Sequence, residues 1–384
     1  MRLMTIAIYR LCIPFTRPFR HARCHRHASD AVIVRLEDRD GVRGYGEGLA
    51  RPYVTGEGVS AMIRFINTRL APALFELDFD VHDDPFEWVQ QIGAKRAAGR
   101  CTQTGVVAWH AAHCAVELAL LDWALRRTDR ALTDYLPPAR THVTYSGVIS
   151  ADSPEDAASL ARRFVTFGIT RLKVKIGTEG DEARLQAIRN VVGPSCELRA
   201  DANGAWTAEQ AVRQLARLEP YRLTGIEQPV AAGDIAGMCR VKRESGIPVA
   251  ADESLVTRDH ALNLARRQAC DLFNIRISKC GGIARSLDIA AIARTYGIGM
   301  QVGAQVGETA LLSAAGRHLA ASLPEVAYVE GSFGTRLLSE DIAEDNPAFG
   351  FGGEAPVLPG IGLGVTVDER ALDRFAVQTI VLNR

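Results

Sequence analysis

This chain of 384 residues has no stretch approaching the roughly 18 consecutive apolar residues of a membrane-spanning helix. Its opening, MRLMTIAIYRLCIPF, holds only a short apolar run before Arg10 and lacks the long apolar core and small-residue cleavage site of a secretory signal. It carries no net charge, because 45 Lys and Arg balance 45 Asp and Glu. Nothing in the bulk therefore favours nucleic acid or an anionic membrane surface as a partner. The eight cysteines form no Cys-x-x-Cys pair and are scattered through apolar or helical text, the pattern of reduced thiols in a cytosolic protein. There is no low-complexity tract. What remains is 47% hydrophobic and 23% charged, the composition of a globular protein with material for a large core. The expected compartment is the cytoplasm.

The text changes character twice. Residues 1–50 read as β: MTIAIYRLCI and DAVIVRLEDRDGVRGYGEG alternate or run apolar, and Asp40-Gly41 is a hairpin signal. Between them, FTRPFRHARCHRHAS reads as a basic, Pro-containing loop. Residues 58–127 show apolar positions at helical spacing, and Pro137-Pro138 closes this first part. The expectation is an α+β capping domain over 1–135. From about 140 the candidates HVTYSGVI, RLKVKI, CELRAD, LTGIEQ, IPVAAD, DLFNIRIS, GIGMQVG and VAYVEG alternate with amphipathic segments. Eight strands and seven helices predict an α/β fold, a modified (β/α)8 barrel of the (β/α)7β kind, over 140–334. An open doubly wound sheet is the alternative, but no Gly-x-Gly-x-x-Gly follows the first strand. Residues 335–384 lose the rhythm and read as a segment packing back on the cap and barrel. FGFGG at 349–353 reads as loop geometry.

Charged residues recur at the ends of successive apolar runs. Lys175, Asp201, Glu227, Asp252 and Lys279 follow one another at intervals of 26, 26, 25 and 27 residues, the length of a strand plus a returning helix. Catalytic residues of such barrels sit at the C-terminal ends of strands. Asp201, Glu227 and Asp252 fall there on neighbouring strands, where side chains can converge on one ion. An all-oxygen set points to Mg2+, with Mn2+ as a substitute, rather than to zinc. Lys173 and Lys175 alternate with Val174 and share the inner face of strand two, where an unpaired ammonium is costly. Lys279 falls across the barrel mouth from Lys175. Burial and nearby positive charge would lower a lysine pKa and suit it to take a proton from carbon. A divalent cation holding a carboxylate would stabilise the charge formed when the adjacent α-proton leaves.

These residues resemble the enolase superfamily in its muconate-lactonizing subgroup. The resemblance covers nearly the whole chain. It rests on YGEG at 45–48, the Lys-x-Lys of KVKIG, DANGAW, IEQP, PVAADES, the lysine of NIRISKCGG and PGIGLGV near the end. It implies that Asp201, Glu227 and Asp252 bind Mg2+, that Lys175 and Lys279 are acid/base residues, and that Lys173 contacts the substrate carboxylate. It further implies that Asn203 supports the metal site and that Glu308 lies near Lys279. It implies a cap whose first loops close over the barrel mouth, and a homo-oligomer. The mandelate-racemase subgroup would place a His on strand seven, and GIGMQVGAQVGE has none.

Substrate choice lies outside this set. The basic segment at 17–27, with Arg20 and His21, offers contacts for a second anionic group, and Tyr53 is a further candidate. This favours a muconate-type dicarboxylate and a cycloisomerase by a small margin. Racemases or epimerases of N-acyl amino acids or dipeptides come next, and o-succinylbenzoate synthase is a further possibility. Dipeptide epimerases of the subgroup show Asp-x-Asp at the end of strand eight. Here the text reads Glu330-Gly331-Ser332, although Glu330 offers an acceptor for an ammonium. The expected partner is a small-molecule carboxylate. The rival classes are a Schiff-base aldolase using Lys175 or Lys279, and a non-catalytic barrel.

Overall fold

The structure, a computed structural model, describes residues 1–21, 24–80, 83–95 and 109–384, and the side chains of residues 20, 21, 24 and 93–95 lie outside that description. Strands β1 (Leu3–Leu11), β2 (Ile13–His21), β3 (Cys24–Ser29), β4 (Val32–Asp38) and β5 (Arg43–Gly48) open the chain. Then come β6 (His142–Thr144), β7 (Gly147–Ile149), β8 (Arg171–Lys175), β9 (Glu197–Asp201), β10 (Gly225–Glu227) and β11 (Val249–Ala251). Strands β12 (Leu272–Ile275), β13 (Gly299–Val302), β14 (Val326–Val329), β15 (Glu354–Pro356) and β16 (Ala376–Asn383) complete the order.

Strands β7 to β14 form an eight-stranded parallel sheet in sequential order, and helices run between them. A bridge from Tyr145 to Val329, with Ser146 N–H donating to Val329 O at 2.8 Å, joins the last strand to the first. The fold is α/β, a (β/α)7β barrel with an α+β cap. Several connecting helices begin at a side-chain cap. Thr207 and Gln210 form a reciprocal capping box before Ala208–Arg217, which buries Ala211 and Leu215. Ser153 caps Pro154–Thr166, whose proline sits in the first turn. Among the described residues no helix is long and apolar enough to cross a membrane.

The cap is an antiparallel sheet in the order β16-β1-β4-β5, so the end of the chain pairs with its beginning. The 18-residue helix His110–Arg127 lies on β5. Gly44, Gly46 and Gly48 of that strand allow the approach, since a Cβ on any of them would overlap helix backbone at Trp123, Ala115 or Ala111. Glu47 lies between these glycines. Its carboxylate accepts from Thr309 N–H at 2.9 Å, Thr309 Oγ1 at 2.7 Å and Leu312 N–H at 3.0 Å, at the start of barrel helix Ala310–Ser322. This joint should be costly to remove. Glu47→Ala is expected to lower stability by about 3 kcal/mol, the scale of several buried donors left unpaired, measured by urea denaturation. Burial outweighs the hydrogen bonds and pushes the Glu47 pKa up to about 7, against 4.5 for a free glutamate. The folded chain therefore keeps a proton that the unfolded chain loses, and stability falls as pH rises through that window. Glu47→Gln should flatten that part of the pH profile.

Three local readings change. The first barrel strand is not continuous from His142 to Ile149. Its start, β6, pairs antiparallel with β15 of the C-terminal segment, and Tyr145 N–H bonds Gly353 O at 2.8 Å. The basic stretch after Ile13 is not an irregular loop. It forms the two-stranded ribbon of β2 and β3, anchored by Thr16 N–H to Leu337 O at 2.7 Å and Ser339 N–H to Pro14 O at 2.8 Å. Backbone pairing, these two anchors and the packing of Ile13 and Phe15 against the core hold it. Lys279 does not end a strand: β12 stops at Ile275, and Lys279 sits in the short helical turn Ile277–Cys280.

Candidate active site

Strand register builds the site. Lys175 on β8 pairs with Asp201 on β9, and Asp201 pairs with Glu227 on β10. Glu227 pairs with Ala250, so Asp252, two residues beyond, projects from the same face one step further out. Asp201 and Asp252 are fully buried and Glu227 nearly so.

Cations hold these carboxylates in a chain. Lys175 Nζ donates to Asp201 Oδ2 at 2.6 Å and to Asn203 Oδ1 at 2.9 Å. Lys173, 2% exposed, lies 3.5 Å from Asp201 and 3.2 Å from Glu227, and it also bonds Glu330. Arg276 bridges Glu227, at 3.3 Å, and Asp252. Lys279 closes the series, donating to Asp252 Oδ1 at 2.8 Å, Asp252 O at 2.7 Å and Asn274 O at 2.7 Å. The two lysines thus flank the carboxylates, Lys175 at the Asp201 side and Lys279 at the Asp252 side. Asn274 Nδ2 and Gln301 Nε2 complete the shell of Glu227 at 2.8 and 2.9 Å.

The electrostatics follow from crowding. Burial raises the Asp201 pKa, with Glu227 and Asp252 adding repulsion against the pull of Lys175 and Lys173. Burial would raise Glu227 too, but Lys173 and Arg276 outweigh it and hold the carboxylate well below its usual range. Lys173 is buried but compensated by carboxylates. Burial pulls it down, yet Glu227, Glu330 and Asp201 together raise it. It is therefore a permanent cation rather than a tuned base.

A cavity opens above this layer, lined by Lys173, Lys175, Asn203, Glu253, Arg276 and Glu308 on its polar side. Tyr53, at the cap's short helix Pro52–Thr55, also lines it. Glu308 is at the cavity wall, taking a hydrogen bond from Gln305 N–H at 2.6 Å, and burial raises its pKa to about 8. It is not bonded to Lys279, whose three donors go elsewhere. Glu330 also lines the cavity, and its charge is already balanced by Lys173 on one oxygen and Arg199 on the other at 3.1 Å. The side chains of Arg20 and His21 lie outside the described residues.

Arg276 and Glu253 are functional candidates that sequence reasoning passed over. Glu253, beside Asp252, is 5% exposed, accepts from Asn203 Nδ2 at 3.1 Å and leaves Oε2 without a partner. Burial, then Asp252 and Asp201, push its pKa to about 7. Arg276 alternates with Ile275 and Ile277 in otherwise apolar text, which was the available signal.

As they stand, no three His, Cys, Asp or Glu side chains among the described residues are poised around one ion. The donor chemistry nevertheless fits a hard divalent cation. Asp201, Asp252 and Glu253 repel one another in a buried place, and a carboxylate oxygen of Glu253 is left unpartnered. Positive charge is what the layer lacks wherever Lys and Arg do not reach.

The family described as mandelate racemase / muconate lactonizing enzyme, N-terminal domain, matches residues 5–136, and the enolase C-terminal domain-like family matches residues 156–371. The chain belongs to the enolase superfamily. It is an enzyme of that superfamily, and the relatives below are isomerases. It is 30% identical over 371 residues to the L-Ala-D/L-Glu epimerase of Bacillus subtilis, covering 95% of this chain and 97% of that one. Its fold is similar to N-succinyl Arg/Lys racemase from Bacillus cereus, with a TM-score of 0.90, 26% identity and all of both chains covered. It is also similar to the dipeptide epimerase of Enterococcus faecalis complexed with Mg and the dipeptide L-Leu-L-Tyr. There the TM-score is 0.84, the identity 28%, and the cover 95% of this chain and 100% of that one.

Proposed function

We propose that this superfamily member racemises or epimerises N-acylated amino acids whose acyl group ends in an anion. The observation that carries the reading is the cation supply at the cavity mouth. Arg17 on β2 and Arg336 after β14 both line the cavity, and no ion pair is formed by either among the described residues; Arg336 rests over the rings of Phe167 and Phe349 at 4.9 and 4.7 Å. Thr16 N–H, at 2.7 Å from Leu337 O, stitches their two segments together. Glu330 already carries two cations, Lys173 and Arg199, so a third positive charge gains less there, which weighs against the free α-ammonium of an unblocked dipeptide.

Asp201, Glu227 and Asp252 would hold Mg2+, with Mn2+ as a substitute, and Asn203 would orient Asp201 through its N–H, 3.0 Å from Oδ1. When bound, the ion supplies positive charge to the substrate carboxylate and makes the adjacent C–H more acidic. Lys175 takes the α-proton from one face, and the C–H bond's electron pair moves into the carboxylate. Lys279, as ammonium, returns a proton to the same carbon from the other face, and the roles exchange for the opposite enantiomer. Lys173 stays cationic and faces the substrate carboxylate. A muconate-type cycloisomerase is the second reading, since the same arginines suit a dicarboxylate.

The test is deuterium incorporation from D2O, with Mg2+, into N-succinyl amino acids, their N-acetyl analogues, dipeptides and muconates. N-succinyl substrates are expected to exchange fastest. Arg17→Met and Arg336→Met should raise KM for them about 10- to 100-fold, the scale of a lost charge-assisted hydrogen bond, and leave N-acetyl substrates unchanged. Faster exchange of unblocked dipeptides would overturn the acyl reading.

A further inference from the structure

We infer that His110, on the cap, is a positioning residue for Lys279, so that one acid/base lysine is set by the cap and the other by the barrel alone. This rests on the two-lysine reading above. His110 opens the helix His110–Arg127 and is 3% exposed. Its Nδ1 lies 2.8 Å from the carbonyl oxygen of Lys279. A carbonyl can only accept, so Nδ1 carries the hydrogen. Burial, reinforced by Arg285, pulls the His110 pKa down to about 3 and keeps the ring neutral at working pH.

The turn that carries Lys279 closes on itself through Cys280 N–H to Arg276 O at 2.9 Å and Gly281 and Gly282 N–H to Ile277 O at 3.0 Å, and leaves the Lys279 carbonyl for an outside donor. It spans Ile277–Cys280 and runs into Gly281 and Gly282, at φ of 93° and 121°. Glycine reaches these angles without the strain another residue would meet, so the turn's exit depends on this pair. The cap ties the turn at two points and the start of the helix Ile283–Thr295 that follows it at a third. His110 holds the Lys279 carbonyl, Leu49 N–H donates to Ser278 Oγ at 3.0 Å, and Glu117 accepts from Ala284 N–H at 2.9 Å. A Cβ on Gly282 would overlap the Glu117 carboxylate, so only glycine permits this approach. The Lys279 ammonium meanwhile spends its three donors on Asp252 and Asn274. Its backbone is therefore fixed by the cap and its side-chain end by the barrel.

Lys175 is held differently. It belongs to β8, paired in register with Asp201 of β9, and its ammonium bonds Asp201 and Asn203. Among the described residues no cap side chain takes part in those bonds. A disturbance at His110 should thus reach one face of the substrate carbon and not the other.

Deuterium exchange in D2O, followed separately from each enantiomer of an exchanging N-acyl amino acid, reads this asymmetry. His110→Leu should slow exchange from the enantiomer served by Lys279 about tenfold through kcat, the scale of one lost hydrogen bond, while the other enantiomer stays within about twofold. His110→Asn keeps an N–H near the Nδ1 position and should restore the rate. Ser278→Ala breaks a second tie between turn and cap without touching the helix start, and carries the same one-sided expectation. Equal loss for both enantiomers, or no loss in either variant, would overturn the positioning role. Lys279→Ala in the same assay tests the underlying reading by itself: if both enantiomers still exchange, Lys279 is not a base, whatever His110 does.

Discussion

Lys175→Ala and Lys279→Ala are each expected to leave an enzyme that exchanges the α-proton of one enantiomer and has lost the other. The lost face should fall by about 10^2- to 10^4-fold, the usual contribution of a positioned acid/base group. Net racemisation needs both faces and should fall in each variant. The expectation follows from placement. Lys175 bonds Asp201 at one side of the carboxylate layer, and Lys279 bonds Asp252 at the other. The two changes should differ in structural cost. The Lys279 side chain is fully enclosed and that of Lys175 is 14% exposed. Removing a buried ammonium leaves Asp252 with one partner fewer, so Lys279→Met, which fills the space, is the control for stability. Full activity in both alanine variants would exclude the two-lysine mechanism. Trapping of a carbonyl substrate by borohydride, insensitive to EDTA, would instead favour a Schiff-base aldolase.

Asp201→Asn should abolish turnover and weaken Mg2+ binding by more than about 100-fold in calorimetry, a larger loss than removing an outer hydrogen-bonding partner of a metal ligand. The fold should survive. Burial already penalises the charge on Asp201, so an uncharged side chain of the same shape suits the place better than it suits a surface ion pair. The variant isolates the ligand role from a folding role. Unchanged Mg2+ affinity would remove Asp201 from the ligand set. EDTA should silence the unmodified enzyme reversibly, and Mg2+ should restore it.

Much of this site is legible in the text because barrels convert sequence spacing into position. An interval of about 26 residues returns the chain to the same rim, and the ladder places Lys175, Asp201 and Glu227 side by side. The interval misleads only at its end. The 27 residues between Asp252 and Lys279 keep the beat, although Lys279 has left its strand for a turn. Spacing along the chain does not distinguish a strand end from a turn four residues beyond it.

The roles of Glu330 and Glu308 were not legible in the same way. Glu330 reads as a spare acceptor in sequence, yet Lys173, 157 residues earlier, and Arg199, 131 residues earlier, each pair with one of its oxygens. Glu308 reads as a neighbour of Lys279, and the bond its carboxylate makes is to the Gln305 N–H, which spacing alone does not reveal. Arg276 and Glu253 acquire meaning only from the carboxylates they meet.

The amino-acid sequence by itself determined the alternation of strands and helices and the return of carboxylates and lysines to one rim, because these depend on residue type and period. Only the tertiary structure decided which cation holds which carboxylate, that Glu330 is occupied, and that the cap reaches the Lys279 turn through His110, 169 residues away. Those outcomes depend on a few ångströms between elements brought together by burial, and no local pattern encodes them.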